Sequence, residues 1–243
     1  SAVSAASITA SGAITFCQGG SVVLTATAGT SYSWSNGATT QAITVTASGS
    51  FTVTVTTGSC VNTSPATNVT VNPTPVASIT AGGPVTFCQG QNVVLTASAG
   101  TSWLWSNGAT TQAITVSTSG NYSVVVTNAS NCSATSAVTA VTVNPNPAAV
   151  ITAGGPLTFC QGLNVVLTAN AGASYLWSTG ATTQSITVAA SGNYSVDVTQ
   201  AGGCVSSSAV TNVVVNPLPA ATITAAGPTS FCDGNSVVLS APA

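Results

Sequence analysis

The sequence is almost free of charged residues. Its 243 residues contain no Lys, Arg or His, and its only acidic residues are Asp197 and Asp233. Typical domains are about 25 % charged. Without cations, a surface that neutralises nucleic-acid phosphates or anionic lipid headgroups is excluded. The usual general bases and cationic clamps of active sites are missing too, so we expect no catalytic residue, no cofactor site and no nucleic-acid partner.

Metal ligands are equally scarce. Calcium sites need several oxygen ligands that usually include carboxylates, and zinc sites need clustered Cys or His. The two Asp residues stand far apart in the sequence, and no Cys-x-x-Cys pair occurs. We therefore predict no metal site and no cofactor.

Long hydrophobic runs are absent as well. Hydrophobic residues make up 44 % of the chain, but Ala and Val alternate with Thr and Ser. No run approaches the roughly 18 residues of a transmembrane helix. The sequence does not open on a charged segment followed by an apolar one, so it does not begin with a secretion signal. We expect no membrane span in this segment, and any export signal of the parent protein to lie outside it.

What the sequence does contain is a repeat of about 72 residues. The first cysteine of each copy recurs at intervals of 71 or 72 residues: Cys17, Cys88, Cys160 and Cys232. The segment WSNGATTQAITV at 34–45 recurs unchanged at 105–116, and the linkers between copies read NPTP, NPNP and NPLP. We divide the chain into repeat 1 (1–73), repeat 2 (74–145), repeat 3 (146–217) and the incomplete start of repeat 4 (218–243).

Hydrophobic residues within each repeat alternate with a period of two. In repeat 2, for example, Val93, Leu95 and Ala97 alternate with Val94 and Thr96. This pattern, rich in Val and Thr, is typical of half-buried β-strands, and Asn-Gly pairs are typical of hairpin turns. Six or seven short strands in each copy, with no convincing helix, predict an all-β chain of small antiparallel β-sandwiches.

Five motifs together resemble immunoglobulin-like or PKD-like modules of bacterial surface proteins. They are FCxGxxVVL, a Trp on the third strand, ATTQxITV, SGxYxVxV and VNPxP, and the resemblance covers the whole chain. Such modules form tandem arrays in very large surface adhesins of gliding bacteria that are exported by the type IX route. The resemblance implies a cell-surface or extracellular location and a non-enzymatic role in a stalk, fibre or filament.

One feature departs from antibody domains, whose paired cysteines lie in the core strands. Here we expect Leu and Val to take those places and the cysteines to lie at strand ends. The expected core residues are Leu24, Leu95, Leu167, Val53, Val124, Val196, Trp34, Trp105 and Trp177. At the corner of the sandwich we expect a structural aromatic residue: Phe51, Tyr122 or Tyr194.

Two cysteine pairings fit the periodicity. Pairing within repeats joins Cys17–Cys60, Cys88–Cys132 and Cys160–Cys204 and leaves Cys232 alone. Pairing across linkers joins Cys60–Cys88, Cys132–Cys160 and Cys204–Cys232. We expect the first, because a module of some 70 residues gains most from an internal cross-link, which is worth roughly 4 kcal/mol for a loop of about 44 residues. Disulfides indicate an oxidising, extracellular compartment.

Tyr32, Trp103 and Tyr175 are the candidate ligand-binding residues. Each stands two positions before a core Trp, on the same face of the strand, near its end. An exposed ring there could stack on a sugar, whereas a ring packed under a loop would be structural. An array of glycan-binding modules, accessory to an adhesin tip or an enzyme, is therefore the alternative function, with surface glycans as partners.

The uncharged surface and the linkers suggest how the repeats associate. Near-zero net charge promotes association, and uncharged edge strands can pair, so we expect contacts between neighbouring repeats and lateral association of chains into fibres. The Pro-rich linkers predict a semi-stiff rod. The closing segment FCDGNSVVLSAPA matches only the opening of a repeat. We interpret it as part of a longer array rather than as a donor strand that completes another subunit.

Overall fold

Alternating Val, Thr and aromatic residues form strands throughout residues 5–241, the part of the chain that the computed structural model describes. No helix occurs among these residues, so the predicted all-β class is confirmed. The chain divides into two compact units, residues 1–143 and 144–243. The first unit contains repeat 1 and nearly all of repeat 2.

Nine short strands recur in each complete repeat within the described residues. Those of repeat 1 are β1 (Ile8–Ala10), β2 (Thr15–Cys17), β3 (Val22–Ala26), β4 (Ser31–Trp34), β5 (Ala42–Val45), β6 (Gly49–Phe51), β7 (Val53–Thr57), β8 (Cys60–Thr63) and β9 (Thr67–Asn72). Those of repeat 2 are β10 (Ile79–Ala81), β11 (Thr86–Cys88), β12 (Val93–Ala97), β13 (Ser102–Trp105), β14 (Ala113–Val116), β15 (Gly120–Tyr122), β16 (Val124–Thr127), β17 (Ser133–Thr135) and β18 (Thr139–Asn144).

The second unit repeats the pattern once more. The strands of repeat 3 are β19 (Ile151–Ala153), β20 (Thr158–Cys160), β21 (Val165–Ala169), β22 (Ser174–Trp177), β23 (Ser185–Val188), β24 (Gly192–Tyr194), β25 (Val196–Thr199), β26 (Val205–Ser207) and β27 (Thr211–Asn216). The described part of repeat 4 forms one short antiparallel pair, β28 (Thr224–Ala225) and β29 (Leu239–Ser240).

The strands of a repeat form two layers. In repeat 1 the first layer is an antiparallel sheet of order β1-β3-β5. The second layer has the orders β2-β9-β6 and β4-β7-β8. Thr52 alone separates β6 from β7, and residues 64–66 separate β8 from β9, so these two groups continue one four-stranded layer. Repeats 2 and 3 have the same order. Each complete repeat is an immunoglobulin-like β-sandwich.

One pairing differs from the antiparallel prediction. β2 runs parallel to β9, with Thr15 opposite Thr70 and Cys17 opposite Asn72. The same parallel pairing joins β20 to β27 in repeat 3. The first cysteine of these repeats therefore lies at the end of the sandwich where the last strand leaves.

Each repeat buries a core of its own between the two layers. The three Leu residues predicted to replace the first core cysteine are fully buried, as are the Val residues predicted to replace the second: Leu24, Leu95, Leu167, Val53, Val124 and Val196. The three core Trp residues are at most 3 % exposed. Each indole N–H donates to a backbone carbonyl 2.8 Å away, as Trp105 Nε1 does to Thr111. The predicted core is confirmed at these positions.

The corner aromatics are also structural, as predicted. Tyr122 donates its hydroxyl to the carbonyl of Thr118 at 3.1 Å, and Tyr194 donates to that of Ala190 at 3.0 Å. Phe51 has no hydroxyl but packs against the core of repeat 1. The ring is therefore common to all three repeats and the hydrogen bond to two.

Serine hydroxyls complete the backbone hydrogen bonding where the second layer is interrupted. The strand break before β9 displaces the carbonyl that would face Val53, and the Ser64 hydroxyl accepts the Val53 N–H at 3.1 Å instead. Ser136 does the same for Val124 in repeat 2. Ser64 and Ser136 are the buried polar residues of the described chain, and no buried side-chain N or O atom there lacks a partner.

We predict that Ser136→Ala destabilises repeat 2 by about 1–3 kcal/mol, because it leaves the buried Val124 N–H without an acceptor. The control is Ser133→Ala, at an exposed position in the adjacent strand, which should change stability by less than about 0.5 kcal/mol. Urea unfolding followed by Trp fluorescence measures both. Equal effects of the two substitutions would contradict this role of the Ser136 hydroxyl.

Candidate functional site at the junction of repeats 1 and 2

Acidic residues and potential metal ligands are scattered over the described part of the chain. Among the described residues, no group of three or more His, Cys, Asp or Glu side chains is placed to hold a metal ion. Nor is any helix of that part of the chain long and apolar enough to cross a membrane. The Asp197 carboxylate accepts a hydrogen bond from Ser207 on the neighbouring strand, and Asp233 is exposed. The distinctive chemistry of the chain lies in its cysteines.

A disulfide joins two consecutive repeats. It links Cys17, at the end of β2, to Cys132, in the turn before β17, with a Cα–Cα distance of 5.5 Å and a sequence separation of 115. Cys88 and Cys204, which occupy the equivalent positions one repeat later, are also disulfide-bonded. The bond therefore connects the first cysteine of repeat 1 to the second cysteine of repeat 2.

This pairing corrects the sequence prediction. The Cys17–Cys60 and Cys88–Cys132 pairs expected within repeats are wrong, and so are the Cys60–Cys88 and Cys132–Cys160 pairs of the alternative. Cys60 and Cys160, predicted as disulfide residues, are exposed free thiols, as is Cys232. The Cys160–Cys204 and Cys204–Cys232 pairs are excluded with them.

The physical reason for the correction is the parallel pairing of β2 with β9. It places Cys17 opposite Asn72, at the C-terminal end of the β8–β9 run, whereas Cys60 begins that run. A nearly extended chain rises about 3.3 Å per residue, so the two cysteines lie roughly 35–40 Å apart. A disulfide requires Cα atoms about 4.4–6.8 Å apart. Cys17 can reach only what lies at the exit end of its sandwich, which is the turn of the next repeat.

Contacts around the disulfide fix the turn of repeat 2 against the linker. The Asn72 carbonyl accepts the Gln18 N–H at 2.8 Å and lies 3.9 Å from the Cys132 sulfur. The Asn128 side-chain amide donates to the Pro73 carbonyl at 2.9 Å. Cys132 is fully buried. The junction is therefore a packed contact that excludes solvent from its sulfur, rather than a loose tether.

The turn that carries Cys132 has its own internal order. The Asn128 side-chain oxygen accepts the Ser130 and Cys132 N–H groups, each at 3.0 Å. Asn131 has a positive φ of 58°, a left-handed conformation that Asn tolerates better than most residues. Gly203 takes the equivalent place in repeat 3, with φ 77°. Asn128 was not predicted as a site residue, although an Asn four residues before a cysteine is a signal for such a turn.

The predicted ligand-stacking residues are half-buried and bonded to their own loops. Tyr32, Trp103 and Tyr175 each pack against the core of their repeat. The Tyr32 hydroxyl accepts the Gly29 N–H at 2.9 Å and donates to the Gly29 carbonyl at 3.1 Å, and Tyr175 does the same at Gly172. The Trp103 indole donates to the Ser98 carbonyl at 3.0 Å. Their polar atoms tether a loop, which is the structural alternative considered for them.

The close packing of the loop held by Tyr32 explains why a glycine, Gly29, stands in it. A Cβ atom on Gly29 would collide with the Val55 side chain and would lie 2.9 Å from the Thr56 carbonyl oxygen. The loop therefore approaches the neighbouring strand too closely for any side chain at this position. Stacking on a sugar remains a prediction for the three aromatic residues.

No family model matches the chain, and no curated protein matches it either. Among solved structures, it is similar to one described as the crystal structure of murine CEACAM1b, with 12 % identity and a TM-score of 0.32 over 58 % of this chain and 100 % of that one. That score is too low to support an argument. The immunoglobulin-like assignment rests on the strand order and the buried core described above.

We predict that the double substitution Cys17→Ser with Cys132→Ser destabilises repeats 1 and 2 by up to about 5 kcal/mol, the chain-entropy value for a closed loop of this length. The matched control is Cys60→Ser, which removes an exposed free thiol and should cost less than about 0.5 kcal/mol. Thermal and urea unfolding under non-reducing conditions measures the difference. A loss for Cys60→Ser as large as that for the double variant would contradict the observed pairing.

Proposed function

We propose that this chain is a non-enzymatic segment of a stalk or fibre, belonging to a secreted bacterial surface adhesin or an extracellular filament. The observation that carries the proposal is the covalent bond between consecutive repeats. A domain that binds a ligand needs only its own fold, whereas a bond from one module to the next serves to hold modules together. Tandem immunoglobulin-like sandwiches with disulfides are typical of extracellular proteins.

The position of the bond suits a load-bearing role. Tension along the chain enters repeat 1 near its N-terminus, passes through the sulfur atoms of Cys17 and Cys132, and leaves from repeat 2. The 115 positions from Cys17 to Cys132 are then bypassed. If the sandwich of repeat 1 opens under load, the chain between the two cysteines cannot lengthen. The junction contacts of Asn128 and Asn72 add a packed interface to this covalent connection.

The composition supports the same proposal. An extracellular stalk is exposed to proteases, and a chain without Lys or Arg offers no cleavage site to trypsin-like enzymes. A hydroxyl nucleophile needs a base, and the sequence has no His or Lys to act as one. We therefore propose that the segment is not an enzyme and has no cofactor.

Glycan binding is the alternative function. Aromatic rings that recognise sugars need an exposed face together with polar partners. The hydroxyls of Tyr32 and Tyr175 and the indole N–H of Trp103 are already bonded to their own loops. These contacts favour the structural role, and the stalk is the better-supported proposal.

Force spectroscopy tests the mechanical role. We predict that pulling the oxidised chain by its termini yields a contour length at least about 370 Å shorter than pulling it after reduction, because some 115 residues at about 3.3–3.6 Å each stay closed behind the disulfide. Cys60→Ser, which removes only a free thiol, is the control and should behave like the unsubstituted chain. Equal contour lengths with and without reductant would refute the load-bearing proposal.

Lateral association into fibres is a second part of the proposal. β13 and β22 are edge strands of their layers, and their outward Leu104 and Leu176 are more than half exposed. Edge strands without charge can pair with one another, and a Lys on such an edge prevents this. We predict that Leu104→Lys with Leu176→Lys lowers the sedimentation coefficient of concentrated samples toward that of the monomer.

Ser33, the residue of repeat 1 equivalent to Leu104, provides a matched control for this experiment. Ser33→Thr keeps its edge strand uncharged and should leave association unchanged. A sample of the unsubstituted chain that stays monomeric at every concentration would remove the basis for lateral pairing and leave the disulfide-linked stalk unaffected.

A further inference from the structure

Two free thiols occupy positions whose equivalents are bonded to each other. Cys160 in repeat 3 corresponds to Cys17 in repeat 1, and Cys60 in repeat 1 corresponds to Cys132 in repeat 2. Cys17 and Cys132 form the junction disulfide, whereas Cys60 and Cys160 are exposed and unbonded. The junction disulfide has two halves, the strand cysteine of one repeat and the turn cysteine of the next. Cys160 is a strand half and Cys60 is a turn half, and neither has its complementary cysteine beside it.

The Cys160 half retains the geometry that positions Cys17. Cys160 lies opposite Asn216 in the parallel pair of β20 and β27, as Cys17 lies opposite Asn72. The Gln161 N–H donates to the Asn216 carbonyl at 2.8 Å, the same distance as from Gln18 to Asn72. The Cys160 sulfur and the Asn216 carbonyl thus have the same arrangement as Cys17 and Asn72, the two groups that contact Cys132 at the junction of repeats 1 and 2.

The Cys60 half is the turn between β7 and β8. Thr57 pairs with Cys60 across a two-residue connection in which Gly58 has a positive φ of 62°. This turn is one residue shorter than that of repeat 2, and its left-handed residue, Gly58, stands two positions before the cysteine, whereas Asn131 stands directly before Cys132. Cys60 is exposed, whereas the equivalent cysteines in repeats 2 and 3 are fully buried, so the sulfur atom of the repeat 1 turn lacks the cover that the other two have.

We infer that Cys60 and Cys160 are the complementary ends of a further inter-repeat disulfide, each formed with another repeat of this same type. Cys160 takes the turn cysteine of a repeat that follows it, and Cys60 takes the strand cysteine of a repeat that precedes it. This deepens the proposed stalk function, because it extends the covalent connection beyond repeats 1–3 and gives it a direction. A Cys60–Cys60 or Cys160–Cys160 bond would bring together two like halves and is not expected.

The bond forms by thiol–disulfide exchange with a small-molecule disulfide such as oxidised glutathione. One thiolate attacks this disulfide and releases one reduced thiol, and the second protein thiolate then displaces the other. Two protein thiols lose two protons and two electrons in total, and one molecule of oxidant is reduced to two thiols. The step needs no residue beyond the two cysteines.

Cys232 serves as an internal comparison. It follows Phe231 in the same FC motif as the other first cysteines and is an exposed free thiol. In the described part of repeat 4, however, it lies outside any strand, and Phe231 is 51 % exposed. Cys232 therefore has the motif without the sheet that positions the sulfur, and random oxidation of exposed thiols would involve it as readily as Cys160.

The deciding experiment uses a fused chain in which residues 1–219, carrying Cys60→Ser, are followed directly by a second copy of residues 5–219, carrying Cys160→Ser, so that each of the two thiols occurs once. This fusion keeps the linker spacing and provides repeat 3 with a complete following repeat. The chain is oxidised with a glutathione buffer, free thiols are alkylated, and peptic fragments prepared at acidic pH are mapped by mass spectrometry. Formation of the Cys17–Cys132 bond in both copies reports correct folding.

We expect Cys160 of the first copy to be bonded to Cys60 of the second copy, with both protected from alkylation. In the control fusion with Cys160→Ser in the first copy, Cys60 of the second copy should be alkylated. The inference is overturned if the Cys17–Cys132 bonds form while Cys160 of the first copy and Cys60 of the second are alkylated, or if Cys60 bonds as often to another Cys60 as to Cys160.

A parallel oxidation of the unfused chain at high concentration identifies the source of the partner repeat. Covalent oligomers joined through Cys60 and Cys160, and not through Cys232, indicate that separate chains supply each other's missing half. Monomers in this sample, together with the bond in the fused chain, indicate a partner repeat on the same polypeptide. If the Cys160–Cys60 bond forms but the contour length is the same with and without reductant, this inference holds while the proposed stalk function fails.

Discussion

The parallel pairing of β2 with β9 is the constraint on which the arrangement of this protein depends. Antiparallel pairing returns a strand toward the end where its partner began, whereas this parallel pair carries the first cysteine to the exit of the sandwich. From there Cys17 cannot reach Cys60 but does reach Cys132 of the next repeat. Because of the direction of this one strand, the disulfide joins two repeats instead of stabilising a single one.

Two different interactions stabilise the single repeat and the pair of repeats. Each sandwich depends on its own core of Leu, Val and Trp, because the Cys17–Cys132 disulfide of the described residues joins two repeats instead of crossing the interior of one, as the disulfide of an antibody domain does. The disulfide stabilises the pair of repeats by closing a long loop, and chain entropy makes that closure more valuable as the loop lengthens. Such modules have a core of their own and a covalent bond to their neighbour, which suits a fibre. A fibre under tension fails when two modules separate as well as when one module unfolds.

The scarcity of charge shapes the rest of the fold. Because the chain has almost no ionic groups, interruptions of a sheet have to be satisfied by neutral donors and acceptors, and serine hydroxyls do this at several strand breaks. Ser64 and Ser136 replace missing backbone acceptors inside the protein, and Ser48 and Ser119 accept N–H groups of the last strand near the surface. The surface that remains carries little charge to keep neighbouring chains apart, which agrees with the proposed lateral association.

The sequence by itself determined the class of fold and the core. Alternating residues have to face opposite sides of a strand, so the period of two predicted strands, and the recurring Leu, Val and Trp positions could be predicted as buried. The structural role of the corner aromatics followed from the same pattern. The repeat length was directly readable, but both cysteine pairings that we predicted from it were wrong.

Only the tertiary structure decided which cysteines meet. Alternation is the same for parallel and antiparallel strands, so nothing in the pattern around Cys17 revealed that β2 follows the direction of β9. The repeat spacing suggested that Cys60 lies close to Cys17. In the folded sheet, however, Cys60 lies at the opposite end of the sandwich from Cys17. For the same reason the pattern placed Tyr32, Trp103 and Tyr175 at strand ends but could not show that their polar atoms were already bonded to the loops beside them.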